Sequence, residues 1–200
     1  MFRGSAILVL LLLSLHGFAQ EAAVKEEVVT SITKTALGGG YILWNEEIEA
    51  QDGSNSSKGN ANYAGLTLHF DKSWTLNGWV WGGTVGLGAG KATADGFDNS
   101  VSYTDSAQRP WTLYFIDMYS LFSPQPNVMI GLGLLAYQRT AQWTSDVNAN
   151  LEVNELVKTG VSPELLFRYR LSKTATLLQT ISPQDFNKNA IWRWSVQFFF

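Results

Sequence analysis

Hydrophobic and polar residues alternate with a period of two over the last eleven residues of the chain, 190–200. One face of this segment carries large apolar side chains: Trp192, Trp194, Val196, Phe198 and Phe200. The opposite face is mostly polar and carries Arg193, Ser195 and Gln197. Because successive side chains of a β-strand point to opposite faces, this pattern predicts a strand with one apolar and one polar face.

Seven upstream segments are also predicted to be strands, since they are rich in apolar and aromatic residues and are bounded by polar, Gly or Pro turns. The eight predicted strands cover residues 34–47, 61–70, 78–91, 109–121, 128–142, 156–171, 174–181 and 190–200. The second strand alternates clearly, with Leu66 and Leu68 on one face and Thr67 and His69 on the other. The facing of the first, fourth and seventh strands stays open.

The predicted connections alternate in length. Polar loops are predicted at residues 50–60, 92–106, 144–155 and 182–189, and short turns at 71–77, 123–127 and 172–173. An even number of strands with this asymmetry is typical of outer-membrane barrels. A lipocalin-like barrel or a sandwich could have as many strands, but gives no reason for the alternation. The pattern therefore predicts an all-β fold, an eight-stranded antiparallel up-and-down transmembrane β-barrel.

The first residues have the features of a secretory signal peptide. A positive start at Arg3 is followed by an apolar run over residues 6–15, and small residues Gly17 and Ala19 precede the expected cleavage site. The run is too short for a typical membrane anchor. We expect three parts: a signal peptide at 1–19, a periplasmic lead-in at 20–33 and the barrel at 34–200.

Composition narrows the class of protein further. The chain has no cysteine, so an exported protein of this sequence is not stabilised by disulfides. Its net charge of −3 gives no indication of nucleic-acid binding. Aromatic residues make up 13% of the chain and include eight tryptophans, mostly near predicted strand ends, where an aromatic girdle at the membrane interfaces would place them. Trp143 is the one loop tryptophan that a sugar platform could use.

The closing segment carries a resemblance to a known family. With Trp194, Val196, Phe198 and Phe200 on one face, the chain resembles small bacterial outer-membrane barrels of the OmpA-barrel and OmpW-like type. The resemblance implies a Gram-negative outer membrane, contact with its lipid and lipopolysaccharide, and recognition of those four residues by the barrel-assembly machinery. We expect a monomer without the peptidoglycan-binding domain of full-length OmpA-type proteins.

The faces opposite the apolar ones would line the lumen. They collect charged and titratable residues: His69, Asp117, Arg139, Glu164, Arg168, Arg170 and Arg193. The interior of an eight-stranded barrel is just wide enough for side chains to fill it, so these charges must pair. They are interpreted as a structural ion-pair plug, with a ligand or ion path as the alternative. The glycines of 86–90 alternate within a strand and are not a phosphate loop.

The sequence points to location more strongly than to activity. The leading hypothesis is a non-enzymatic barrel, either structural or a narrow, porin-like channel for small or hydrophobic solutes. The alternatives are a surface binding or adhesion barrel acting through four outer loops and, less favoured, a lipid A-modifying enzyme. His69 is the sole histidine after signal removal, and no serine has a convincing spacing from it. No catalytic residue, metal site or cofactor is predicted.

Overall fold

The computed structural model describes residues 32–98, 108–143, 151–153, 156–185 and 189–200. This part of the chain contains nine strands: β1 (Ile32–Asp52), β2 (Asn55–Leu76), β3 (Trp79–Asp95), β4 (Arg109–Gln125), β5 (Val128–Ala141), β6 (Leu151–Val153), β7 (Val157–Arg170), β8 (Ala175–Asp185) and β9 (Asn189–Phe199). Eight of them pair antiparallel in the order β2-β3-β4-β5-β7-β8-β9-β1, and β1 also pairs with β2. The sheet thus closes into a barrel, and the predicted fold is confirmed.

The first hairpin is taller than predicted. β1 and β2 are joined at residues 53–54, where Gly53 has a φ of 62°, so the predicted loop at 50–60 is wrong. The tip of β1 also pairs with β6, which is a short strand outside the barrel order. The outer face of this hairpin lies beyond the apolar surface of the barrel, and its residues are mostly polar. Because strand propensity depends on the environment of each face, polar residues can form a strand there.

The predicted turn at 71–77 is also wrong, because β2 continues to Leu76. The chain reverses over Asn77 and Gly78, whose φ values are 51° and 81°. Two positive φ angles match the two-residue turn that Asn-Gly favours between twisted strands.

Other boundaries shift less. β3 extends to Asp95 and β8 to Asp185, so the predicted loops at 92–106 and 182–189 start later than expected. The described residues do not include the parts of these loops at 99–106 and 186–188, most of the loop at 144–155, the signal peptide at 1–19 or the lead-in up to residue 31. Among the residues that are described, no helix is long and apolar enough to span a membrane.

The barrel wall turns its apolar residues outward. Large side chains stand exposed on this face, for example Leu66 at 68%, Met118 at 68% and Leu132 at 66%. The open facings are now determined. The inward residues of β1 include Ala36, Ile42 and Trp44, those of β4 include Trp111, Leu113, Phe115 and Tyr119, and those of β8 include Thr176, Leu178 and Thr180.

The outward apolar residues form a continuous belt with a sharp edge toward the tall hairpin. The last apolar residue before this edge is Leu43, Ala64, Ala89, Tyr114, Ala136, Val161, Ile181 or Ala190. On six strands the next outward residue is polar: Asn45, Asn62, Lys91, Thr112, Gln138 and Thr159. We call this edge the upper edge of the belt, and the end with the short turns the lower end.

Candidate functional site: the barrel lumen

Near the lower end, a buried network joins Asp71 of β2 to Tyr119 of β4 and Arg168 of β7. The Tyr119 hydroxyl donates to Asp71 Oδ2 at 2.6 Å, and Thr84 Oγ1 donates to the same oxygen at 3.0 Å. Arg168 Nη2 donates to the Tyr119 hydroxyl at 2.9 Å and lies 3.4 Å from Asp71 Oδ2. This lower network joins four strands, β2, β3, β4 and β7, across the lumen.

The central network is built around Arg193 of β9. Its Nη2 atom lies 2.9 Å from Asp117 Oδ2 and also hydrogen-bonds to Glu164. Its Nε atom donates to Thr180 Oγ1 at 3.1 Å, and the guanidinium carbon lies 4.5 Å from the centre of the Phe115 ring. One cation therefore holds two carboxylates, one from β4 and one from β7, which compensates for much of their desolvation.

The upper network surrounds Glu46 of β1. Arg139 hydrogen-bonds to Glu46, and the Tyr63 hydroxyl donates to Glu46 Oε1 at 2.8 Å. Lys158 Nζ lies 3.6 Å from Glu46 Oε2. The Arg139 guanidinium also stacks over the Tyr63 ring at 5.3 Å. Both charged groups of the Arg139–Glu46 pair are buried, so this pair is part of the packed interior.

An aromatic cluster closes the lumen around the upper network. Trp44 stacks on Tyr63 with ring centres 4.3 Å apart, and Trp111 packs edge-on against Trp44 at 4.8 Å. Trp143 packs edge-on against Tyr63 at 6.0 Å. The girdle prediction is therefore wrong for Trp44 and Trp111, and Trp143 cannot act as a sugar platform because it is buried. These rings face inward because their strands place them at inward positions of the alternation.

The lumen brings most of the predicted residues together. Asp117, Glu164 and Arg193 form the central network, whereas Arg168 and Arg139 belong to the lower and upper networks. Arg170 is two residues from Arg168 and therefore on the same face of β7, but its side chain is exposed at the lower end of the strand. Its predicted place in the lumen cluster is wrong.

The His69 side chain is buried among its neighbours and does not face an open cavity. Its Nε2 atom lies 3.4 Å from Gln197 Nε2, and a Cβ atom added to Gly38 would lie 2.2 Å from the ring. The enclosed cavity beside His69 and Asp117 measures about 10 Å³, which is about the space of one water molecule. In the described part of the chain, no group of three or more histidine or carboxylate side chains could hold a metal ion.

Two key carboxylates were missed by the sequence reasoning. Glu46 and Asp71 were assigned to a strand end and to a turn, so neither entered the predicted cluster. The sequence contained the information needed to place both. Glu46 continues the inward positions of Ile42 and Trp44 at a spacing of two residues, and Asp71 follows His69 at the same spacing. Extending each alternation until it breaks would have found both.

The tall hairpin has a polar outer face with paired charges. Lys58 Nζ lies 2.7 Å from Glu47 Oε1, and Asn62 Nδ2 lies 3.2 Å from Asp95 Oδ2. The hydrogen bond to Glu47 and the charge of that carboxylate raise the pKa of the Lys58 amine. The hairpin therefore presents a polar outer surface above the belt, with Lys58 paired to Glu47.

Comparison with known structures gives the fold a precedent. The structure is similar to that of Ail, the attachment invasion locus protein of Yersinia pestis, with a TM-score of 0.50 and 14% identity over 84% of this chain and 98% of that chain. Neisserial surface protein A is similar over 83% of this chain and 97% of its own, with 12% identity and a TM-score of 0.41. No family model matches the sequence, and no curated protein matches it. At this identity, the likeness to Ail shows the fold alone: the eight-stranded barrel of a small outer-membrane protein.

Three of the four residues of the proposed assembly signal lie on the outer face of β9, and Phe200 directly follows this strand. Trp194 and Val196 are partly exposed there, and Phe198 and Phe200 are 59% and 81% exposed. Recognition of these residues by an assembly factor stays a prediction.

Proposed function

We propose that this chain is a non-enzymatic barrel of the bacterial outer membrane, with a closed lumen and a surface role carried by its tall first hairpin and neighbouring outer segments. The observation that carries the proposal is the filled interior. Three buried polar networks and an aromatic cluster occupy it from the lower end to the upper edge of the belt. Side chains locked in this way leave no axial path for a solute.

The belt supports the membrane location. Leucine, isoleucine, valine and aromatic side chains cover the outward face, and burying such residues in hydrocarbon is favourable whereas exposing them to water is not. In this proposal the belt contacts outer-membrane lipid and, in the outer leaflet, lipopolysaccharide. The proposal includes a monomer inserted by the barrel-assembly machinery; what supports a monomer is that the barrel strands pair with one another in a closed order.

The orientation can be tested with two single cysteines, since the natural chain has none. Ser54 lies in the tip of the tall hairpin and Lys173 in a short turn at the opposite end. We expect a membrane-impermeant maleimide to label Ser54→Cys in intact cells and to label Lys173→Cys only after permeabilisation. Labelling of Lys173→Cys alone in intact cells would show the opposite orientation.

The closed lumen distinguishes a surface barrel from the channel alternative. We expect purified protein in planar bilayers to give no discrete conductance steps. Regular steps, abolished by heat denaturation of the same sample, would instead support a narrow channel. Lipid A mass analysis after overexpression tests the enzyme alternative, for which we expect an unchanged spectrum.

A further inference from the structure

A groove of about 790 Å³ lies on the outer wall at the upper edge of the belt, where it crosses β9, β1, β2 and β3. The strand registers place one side of the groove in a single row across these four strands: Trp192, Leu43, Ala64 and Lys91. The row directly above it is polar and consists of Asn45, Asn62 and Thr93. All of these residues line the groove, which we call the edge groove.

The edge groove has the length of a short carbohydrate. Ala64 contributes only a methyl group between Leu43 and Lys91, so the middle of the row is low. Neighbouring strands lie about 4.8 Å apart, and the row from Trp192 to Lys91 is therefore roughly 14 Å long. A ligand of two linked sugar rings fills such a row, whereas a single small ion occupies one end of it.

One end of the edge groove is aromatic. Trp192 is partly exposed on the outer wall, and its ring stacks on that of Trp194 with the ring centres 6.0 Å apart. An indole ring combines an apolar body with a polar N–H group, which suits contact with a sugar ring at a membrane–water interface. Above the row, the amides of Asn45 and Asn62 can both donate to and accept from sugar hydroxyls.

The other end of the edge groove carries a cation without an anion. Among the described residues, no carboxylate lies within ion-pair distance of Lys91, whereas Lys58, higher on the tall hairpin, is paired with Glu47. The one carboxylate of β3 is Asp95, which is four residues above Lys91, or roughly 13 Å along the strand. The ammonium group of Lys91 is therefore available to an external anion at the level where the apolar belt ends.

We propose that the edge groove binds the phosphorylated glucosamine headgroup of lipid A. A phosphate contacts Lys91, sugar hydroxyls contact Asn45 and Asn62, and one sugar ring lies against Trp192. The inference rests on the proposed membrane location, which places the upper edge of the belt in the outer leaflet. A ligand held there needs a polar head beside the asparagines and acyl chains that continue over the apolar wall below. Phosphatidylglycerol has the anion and the chains but no sugar rings to fill the row.

The test measures lipid binding to purified protein in detergent by native mass spectrometry, with increasing amounts of diphosphoryl lipid A. Lys91→Gln removes the cation, and Lys72→Gln is its control, because Lys72 is an exposed outward lysine near the lower end. Ala64→Leu fills the middle of the groove without a change of charge. Its control is Ala89→Leu, on the outer wall two residues below Lys91.

We expect Lys91→Gln and Ala64→Leu each to weaken lipid A binding by at least about tenfold, the factor expected for the loss of one charge-assisted hydrogen bond. Lys91→Arg should retain binding, and both controls should bind as the natural protein does. Dephosphorylated lipid A and phosphatidylglycerol should each bind at least about tenfold more weakly than diphosphoryl lipid A.

Three results would overturn the inference: undiminished binding by Lys91→Gln or Ala64→Leu, an equal loss in Lys72→Gln, or equal affinity for phosphatidylglycerol. Gel migration with and without heating shows that each variant is folded. Flotation of the natural protein with phosphatidylcholine vesicles is read separately, because protein that does not float would refute the proposed membrane location itself. Protein that floats but does not discriminate between these lipids would refute the lipid A site alone.

Discussion

Replacing Leu132 by arginine tests whether the outer wall faces hydrocarbon. Leu132 is 66% exposed, and on the same face of β5 it lies between Ile130 and Leu134. The apolar outward stretch from Val128 to Ala136 covers about eight residue steps, or roughly 27 Å of strand, which at a tilt near 40° gives about 20 Å of height. Leu132 is at the middle of that height, where a cation in a bilayer costs about 2–4 kcal/mol.

The control is Gln138→Arg, on the same strand and the same face but above the belt. It should change the free energy of unfolding by about 0–1 kcal/mol, because the depth dependence is steep. Both variants are folded into phosphatidylcholine vesicles and unfolded with urea, and tryptophan fluorescence and gel migration report the folded fraction. If Leu132→Arg is as stable as Gln138→Arg, the wall faces water and the transmembrane interpretation fails.

Three further outcomes follow from the packing. Arg193→Met should destabilise the barrel by about 3–5 kcal/mol in urea unfolding, because it leaves two buried carboxylates without their cation. Neutralising both carboxylates in the same variant should recover most of the lost stability. If it does not, the guanidinium stabilises the barrel by its shape alone. Gly40→Ala should cost about 1–3 kcal/mol, since its Cβ atom would lie 1.8 Å from the Trp194 carbonyl oxygen, whereas outward Gly39→Ala, with its nearest atom at 3.5 Å, should be nearly neutral. Phe200→Ala should change the free energy of unfolding in detergent by less than about 1 kcal/mol, because the ring is 81% exposed. The same variant should lower the amount of protein inserted in cells. Equal losses in both assays would mean that the ring acts by packing.

The local alternation of apolar and polar residues was enough to predict much of the fold. The period-two pattern of residues 190–200 predicts a strand, and Asn189–Phe199 forms one, because side chains at alternate positions must face opposite sides whatever the partner strand is. The same reasoning placed Arg193 and Leu132 on opposite sides of the wall. Loop composition was a weaker guide: the polar residues of 55–60 were assigned to a loop, although strand pairing with β1 and β3 accommodates them.

Only the tertiary structure decided which charges meet. Arg193 contacts Asp117 and Glu164 from strands far apart in sequence, and their distances depend on the stagger of the closed sheet, which no local pattern encodes. The inward place of Trp111 likewise required the facing of a strand whose two sides are both apolar. Pro163 and Pro183 are visible in the sequence, but only the register of β7 and β8 places them opposite each other. That register is set by the short turn between the two strands together with the packing of both faces.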